Sequence, residues 1–204
     1  MTNGGQEIEA KFYVQDLNRI KKRLEELGAH LVQERVLESN IRFDLPGARL
    51  RADGRVLRLR RDTDVRLTYK SASENREGVL SREEIEFVVE DFEKAKRFLE
   101  ALGYQKLVYY EKYRTTYELN DTLIMLDELP YGNFIEIEGQ NHDTIRAVAH
   151  QLNLNWEAAI GTSYHALFER VRTSLNETFE DLSFANFAGR QVNAQALEVF
   201  PADI

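Results

Sequence analysis

The chain has 204 residues, of which 43% are hydrophobic and 30% charged, the composition of a globular protein with room for one domain. Acidic residues outnumber Lys and Arg by 35 to 27, and the net charge of -8 disfavours binding to nucleic acid or anionic membranes. Cysteine is absent, which excludes disulfides, thiolate-bound zinc and a cysteine nucleophile. No segment approaches the roughly 18 apolar residues of a membrane span, and we expect a cytoplasmic protein.

The first folded segment is an alternating strand followed by an amphipathic helix and a glycine. Residues 6–14 alternate between polar and apolar side chains, Asp16 is a candidate N-cap, and Gly28 stands where the helix ends. The same unit recurs with Asp91 and Gly103, and more loosely at residues 134–154. The predicted apolar helix faces are Leu17, Ile20, Leu24 and Leu27; Phe92, Ala95, Phe98, Leu99 and Leu102; and Ile145, Val148, Ala149 and Leu152.

Long alternating runs separated by turn signals connect these units. They divide the chain into about eight strands with two or three helices. We therefore predict an α+β fold, an eight-stranded antiparallel closed β-barrel with helices packed on its outside, because closure removes unpaired strand edges. Residues 1–176 would form this domain. Residues 177–204 would be an extension that packs on the barrel or contacts a partner in a possible homodimer.

The alternation predicts that the barrel interior is charged. For any single strand, a sheet with its charged side in water is the alternative, but the helices need the apolar side: Ile8, Leu57, Leu59, Ile85, Phe87, Tyr113, Ile124, Ile135 and Ile137. The inward acids would be Glu7, Glu9, Glu84, Glu86, Asp127, Glu136 and Glu138. The inward bases would be Lys11, Arg58, Arg60, Lys70, Lys112 and Arg114, with Arg42, Arg66 and Arg82 as further candidates.

A lumen of this kind favours a polyanion that brings a divalent metal with it. Uncompensated buried charges are costly, which disfavours a carrier of apolar ligands. Arg and Lys bind phosphate oxygens, whereas clustered carboxylates supply the oxygen ligands that Mg²⁺ or Mn²⁺ prefers. The substrate class most consistent with both is a triphosphate.

Several motifs then carry a family resemblance. EIEAKF (7–12) resembles the ExExK motif of the CYTH, or triphosphate tunnel metalloenzyme, superfamily, which includes class IV adenylate cyclases, thiamine triphosphatases and inorganic triphosphatases. The segments that follow in the family's order are LRLR (57–60), LTYK (67–70), REEIE (82–86), EKYR (111–114), the strand of Asp127, and GNFIEIEG (132–139). TSYHALF (162–168) resembles the closing helix.

The resemblance implies roles for the inward charges. The metal ligands would be Glu7, Glu9, Glu136 and Glu138, and Glu84, Glu86 and Asp127 would orient cations or hold a second metal. The phosphates would be held by Lys11, Arg58, Arg60, Lys70, Lys112 and Arg114, and the catalytic group would comprise Glu7, Glu9, Lys11 and Lys70. One position departs from the family: Arg42 stands where many members have a tyrosine, which removes a proton-transfer group and adds a candidate phosphate contact.

Three functions are compatible with these residues. Hydrolysis of tripolyphosphate or of a nucleoside or thiamine triphosphate is favoured, because it requires no base or ribose pocket. A class IV adenylate cyclase would use the same residues to convert ATP to cyclic AMP and pyrophosphate. A binding module without turnover is disfavoured because all six glutamates of the three EIE motifs are present.

Overall fold

The computed structural model describes residues 5–203, which form nine β-strands and six α-helices. The strands are β1 (Gln6–Val14), β2 (His30–Asp44), β3 (Val56–Arg61), β4 (Val65–Lys70), β5 (Glu74–Arg76), β6 (Val79–Val88), β7 (Gln105–Leu119), β8 (Thr122–Leu129) and β9 (Gly132–Glu138). The helices are α1 (Leu17–Glu26), α2 (Arg49–Ala52), α3 (Phe92–Ala101), α4 (His142–Gln151), α5 (Tyr164–Ser174) and α6 (Ala194–Leu197).

Eight of the strands close into an antiparallel barrel. Their order is β1-β9-β8-β7-β2-β3-β4-β6, and β6 pairs back with β1. The predicted fold is therefore confirmed. The short β5 is an additional strand that, among the described strands, pairs only with β6. The alternation did not predict it, because three residues are too few to show a period.

Both strand–helix–glycine units form as expected. The Asp16 carboxylate accepts the backbone N–H groups of residues 18 and 19 at the start of α1, and Asp91 accepts the N–H of residue 94 at the start of α3. Gly28 and Gly103 follow the helices with φ of +75° and +91°, a left-handed conformation that glycine adopts without steric cost.

The main core lies between the barrel and two helices. Ile20 and Leu24 of α1 and Ile145 and Val148 of α4 are buried in the same cluster as the outward side of β1, β8 and β9. The strand residues in this cluster are Ala10, Phe12, Val14, Val79, Tyr117, Leu119, Ile124, Leu126, Ile135 and Ile137. These helices hold the strands that carry Glu7, Glu9, Asp127 and Glu136.

Helix α3 covers less of the barrel than the sequence predicted. Phe92 and Leu99 pack with the outward side chains of β2 and β3. Phe98, however, is 62% exposed, and Ile85 and Phe87 on β6 are 52% and 53% exposed. The expectation that helices cover this part of β6 is wrong, because α3 lies over β2 and β3 and leaves β6 bare.

Helix α5 and the following segment fill one end of the barrel. Phe134 lies on the same side of β9 as Glu136 and packs against Tyr131 and Tyr164. The remaining buried residues of this cluster are Leu129, Ile160, Leu167, Phe168, Val171, Leu182, Phe187 and Leu197. Residues 177–203 thus contribute to a shared core. Their assignment as a unit separate from 1–176 stays a prediction, and residues 1–4 and 204 lie outside the described chain.

The last described residues are tied to β1. The backbone N–H of Ala202 donates to the carbonyl of Tyr13, and the buried Asp203 carboxylate accepts the N–H groups of Gln15 and Asp16, both at 2.9 Å. This connection fixes the turn between β1 and α1. Among the helices of residues 5–203, none has the length and apolar character that crossing a membrane requires.

We expect Asp203→Ala to lower the free energy of unfolding by about 1 kcal/mol, because it removes the acceptor of the partly buried N–H groups of Gln15 and Asp16. Urea unfolding followed by circular dichroism measures the change. Glu118→Ala, at an exposed position of β7, is the control and should have little effect. Equal stability of Asp203→Ala and the parent protein would show that the carboxylate does not hold this turn.

Candidate functional site

The barrel encloses a cavity of about 1060 Å³, and about half of the residues that line it are charged. The strand order concentrates carboxylates on one side of it and bases on the other, although Lys11 and Arg82 project from the carboxylate side and Glu38 from the basic side. Strands β6, β1 and β9 are neighbours and carry Glu84, Glu7, Glu9 and Glu138, which we call the carboxylate wall. Strands β7, β2 and β3 lie across the barrel and carry the basic wall: Lys112, Arg114, Arg42, Arg58 and Arg60.

Strand register brings each EIE motif next to a cation or another carboxylate. Lys11 is paired in register with Glu136, and Glu9 with Glu138. On the other edge of β1, Glu7 is opposite Arg82. The carboxylates of three separated segments therefore meet because β1 pairs with both β6 and β9.

Asp127 organises the cations near the filled end of the barrel. Its fully buried carboxylate accepts hydrogen bonds from Lys112 at 2.9 Å, from Arg114 at 2.7 Å and from the Tyr164 hydroxyl at 2.8 Å. Lys11 lies 4.4 Å above the centre of the Tyr164 ring. Burial and the neighbouring Asp127 and Glu136 raise the pKa of Tyr164 well above its usual value, which keeps its hydroxyl a donor.

Glu136 belongs to the same network of ion pairs. Lys11 contacts it at 2.7 Å, and the Arg114 guanidinium also donates to it. Burial opposes ionisation of this carboxyl, but Lys11, Lys112 and Arg114 outweigh it and hold its pKa well below the usual range. Its predicted role as a metal ligand stays a prediction, and in this structure its charge is balanced by protein cations.

Glu7 is held between two cations on the carboxylate wall. Its carboxylate accepts from Lys70 and, at 2.8 Å, from Arg82. Burial alone would raise the pKa of Glu7, yet the two cations lower it to about 2. Lys70 also lies 3.0 Å from Glu84 and thereby joins the two glutamates.

Glu138 faces other carboxylates with little compensation. Burial, followed by Glu7, Glu9 and Glu84, raises the pKa of Glu138 to about 7. Within residues 5–203, no three Asp, Glu or His side chains are arranged as ligands of one ion. The donor set still suits a divalent cation, because crowded carboxylate oxygens are the ligands of Mg²⁺ and Mn²⁺ and a cation would relieve their mutual repulsion.

The basic wall is partly neutralised by Glu86. Arg60 contacts its carboxylate at 3.2 Å, Arg58 at 3.5 Å, and the Thr68 hydroxyl donates to it at 2.7 Å. The buried Nε atom of Arg58 makes no hydrogen bond with any described residue, whereas the Nε atom of Arg60 lies 3.4 Å from the Asp62 carboxylate.

The structure brings nearly all predicted site residues into one cavity. Glu7, Glu9, Lys11, Arg42, Arg58, Arg60, Lys70, Glu84, Glu86, Lys112, Arg114, Glu136 and Glu138 all line it, and Asp127 lies beneath Lys112 and Arg114. Arg66 lines the cavity while it is bound to Asp62 and Asp64, and Arg82 is bound to Glu7.

Sequence reasoning missed Glu38. It is 2% exposed and lies 3.6–3.7 Å from Arg60, Lys112 and Arg114. Burial opposes its ionisation, but Lys112, Arg114 and Arg60 lower the pKa of Glu38 to about 2. Its even spacing from Arg42 on β2 was the available signal, but the neighbouring polar residues hid the alternation.

Comparison with known proteins identifies the family. Residues 5–160 match the family model described as the CYTH domain. A protein of Methanocaldococcus jannaschii named "Putative adenylate cyclase MJ0240" is 29% identical over 134 residues, which are 65% of this chain and 75% of that protein.

Two solved structures share the fold. One, described as a putative adenylate cyclase from Vibrio parahaemolyticus, has a TM-score of 0.73 and 20% identity over 82% of this chain and 99% of its own. The other is from Hippeastrum, with a TM-score of 0.61 and 19% identity over 85% of this chain and 97% of its own. Its description reads "Putative adenylyl cyclase HpAC1" and reports a dominant triphosphatase activity. With three quarters of its length matched by the family model, the chain belongs to the CYTH domain family.

Proposed function

We propose that the protein is a triphosphatase that binds a triphosphate with Mg²⁺ or Mn²⁺ inside the barrel and hydrolyses it. The observation that carries this proposal is the opposition of the carboxylate wall and the basic wall across one cavity. A triphosphate with its divalent cation has the matching charge distribution. Charge neutralisation and positioning are the main requirements of phosphoryl transfer.

The carboxylate wall would hold the metal. Glu7, Glu9 and Glu138 are the proposed ligands, with Glu84 beside them and Glu136 as a further candidate. A bound Mg²⁺ or Mn²⁺ supplies Lewis acidity towards phosphate oxygens. Lys70 and Arg82, which now neutralise Glu7, would be released to contact phosphate.

The basic side chains would position the phosphates. Lys11 and Lys112 lie above the Tyr164 ring, and Arg114 is held by Asp127, so three cations are fixed at the filled end of the cavity. Their donors would stabilise the charge that develops on the leaving phosphate. Because this end is filled, substrate would enter from the other end.

The surroundings of the two tyrosines that line the cavity, Tyr110 and Tyr164, favour hydrolysis over cyclisation. The Tyr164 ring is covered by Lys11 and Lys112, and Tyr110 is surrounded by Arg42, Arg58 and Lys112. Neither ring offers an open apolar face to an adenine base. The cyclase remains the second candidate because the Methanocaldococcus relative is named as one. A binding module without turnover would not require the intact carboxylate wall.

The expected cytoplasmic location and possible homodimer stay predictions.

We expect the purified protein with Mg²⁺ or Mn²⁺ to release orthophosphate from tripolyphosphate or ATP. The assay should measure orthophosphate, pyrophosphate and cyclic AMP in parallel, with EDTA as the metal-free control. Formation of cyclic AMP and pyrophosphate in equal amounts would replace the hydrolase by the cyclase. Absence of any product with all triphosphates tested would contradict the enzymatic proposal.

Glu7→Gln and Glu9→Gln should each reduce metal-dependent turnover by about 10²-fold or more, because each removes a charged metal ligand. Circular dichroism should show a retained fold, and Glu25→Gln, at an exposed position of α1 outside the barrel, is the matched control. Turnover at the parent rate in either variant would remove that glutamate from the site.

We expect the stability of the metal-free protein to depend on pH because of Glu138. Its folded-state pKa of about 7 exceeds the ordinary value of 4.5, so stability is lost as pH rises from about 4.5 to about 7. Glu138→Gln removes this loss. The variant should melt at the same temperature as the parent at pH 4.5 and at a higher temperature at pH 8.

His165 affects stability in the opposite direction. Burial and then Arg42 and Arg51 lower its pKa to about 4, so stability is lost as the pH falls towards 4. His165 is present in both the parent and Glu138→Gln. Its protonation therefore changes both melting temperatures alike and cancels in the difference between them. Mg²⁺ should raise the melting temperature of the parent more than that of Glu138→Gln. A pH-independent difference between the two would contradict the crowding of carboxylates around Glu138.

A further inference from the structure

Two strands run past their barrel partners at the filled end. β8 pairs with the second half of β7 and leaves one edge of residues 105–112 without a neighbouring barrel strand. β6 pairs with the first part of β1 and leaves one edge of residues 11–14 without one. Each of these strand sections carries a lysine of the site, Lys112 on β7 and Lys11 on β1.

Residues 181–184, which we call the edge segment, cover the open edge of β7. The backbone N–H of Leu182 donates to the carbonyl of Tyr109, and the N–H of Glu111 donates to the carbonyl of Leu182, both at 2.9 Å. The Asp181 carboxylate accepts the N–H of Tyr109 at 3.0 Å. The edge segment thus takes the place of a neighbouring strand.

Other residues that follow the barrel in sequence cover the open edge of β1. The N–H of Ile160 donates to the carbonyl of Lys11 at 2.8 Å, and the N–H of Ala202 donates to the carbonyl of Tyr13 at 2.9 Å. Both lysines therefore lie on strand sections that are completed by residues from beyond β9.

Leu182 connects the edge segment with the cavity and with α5. Its side chain is 1% exposed and packs in one cluster with Leu167, Phe168 and Val171 of α5. It also lines the cavity beside Tyr110, with which it forms a parallel β-bridge. Close packing around an apolar side chain at this position excludes water from the filled end and holds α5 against the barrel.

The first residue of α5 contacts both lysines. The Tyr164 hydroxyl donates to Asp127 at 2.8 Å, and the Nζ atoms of Lys11 and Lys112 lie 4.4 and 5.2 Å from the centre of the Tyr164 ring. Lys112 also donates to Asp127, at 2.9 Å. The position of α5 therefore influences where the two ammonium groups lie.

We propose that the edge segment is part of the active site and that Leu182 and Asp181 are positioning residues for Lys112. Leu182 acts through α5 and Tyr164, whereas Asp181 acts through the edge of β7. The inference rests on the proposed triphosphatase function, in which Lys112 stabilises the charge that develops on the leaving phosphate. The edge segment lies outside residues 5–160, so it adds a support that the family match does not include.

Lysine labelling tests this positioning without turnover. Reductive methylation of the metal-free protein, followed by peptide mass spectrometry, measures how fast Lys112 reacts, with the exposed Lys94 as internal reference. The Lys112 side chain is buried in the parent. We expect it to react about tenfold faster in Leu182→Ala, because a less tightly held α5 opens more often. Leu182→Met keeps most of the side-chain volume and should react nearly like the parent.

A matched variant separates positioning from a general loss of stability. Leu99→Ala makes the same truncation at a buried position of α3, in the cluster over β2 and β3. It should lower the melting temperature about as much as Leu182→Ala does, yet leave the labelling rate of Lys112 like that of the parent. The rates are compared well below both melting transitions. Equal labelling of Lys112 in the two variants would overturn the inference.

Asp181→Ala and Asp181→Asn test the contact at the edge of β7. Asparagine keeps an acceptor for the N–H of Tyr109, whereas alanine removes it. Lys112 should therefore react about threefold faster in Asp181→Ala and at nearly the parent rate in Asp181→Asn. Glu177→Ala, which removes another carboxylate from the C-terminal part of the chain, is the control. Equal acceleration in both Asp181 variants would overturn the role of this hydrogen bond.

Turnover of tripolyphosphate with Mg²⁺ gives a second measurement. Leu182→Ala should have a kcat about tenfold below that of Leu99→Ala, because small displacements of positioned groups are costly. The Mg²⁺ concentration for half-maximal rate should be the same in both, since the proposed metal ligands lie on the carboxylate wall. Equal kcat values would overturn the contribution of Leu182 to the reaction. If the parent hydrolyses no triphosphate, the proposed function fails, and the labelling rates still decide whether the edge segment positions Lys112.

Discussion

The interior of this barrel must balance charge, because each of its eight strands turns at least one charged side chain inward. Such groups are stable in a protein interior only when opposite charges or hydrogen bonds compensate them. Asp127 shows the result most clearly, since three different side chains donate to its fully buried carboxylate. The strand pairings and the helices outside hold these partners in place.

Charge compensation differs from one part of the barrel interior to another. The uncompensated charges indicate which kind of ligand the barrel would bind. Near Asp127 and Glu136, cations and carboxylates contact one another directly. Around Glu138 there are too many carboxylates, and around Arg42 too many cations. A substrate that carries several negative charges, together with a divalent cation, would supply what each region lacks. The same imbalance costs stability in the ligand-free protein, as is common where side chains are arranged for a ligand.

The sequence predicted the barrel because strand periodicity and helix periodicity alternated clearly. The inner and outer faces followed from that period for β1 and β9, where glutamates and isoleucines alternate. The same rule failed for the outer face of β6: Ile85 and Phe87 are apolar, yet they are exposed, because no period states which strand a helix will cover. Glu38 escaped notice because β2 is polar over much of its length.

The sequence by itself therefore determined the strand and helix order, the inward direction of the charged residues and the family, since these depend on local periodicity and on motifs. Only the tertiary structure decided which charges meet. Glu136 and Glu138 are two residues apart on β9, but one lies among cations and the other among carboxylates. That difference arises from the pairing of β1 with both β6 and β9 and from the packing of α5 into one end of the barrel, which are contacts between distant parts of the chain.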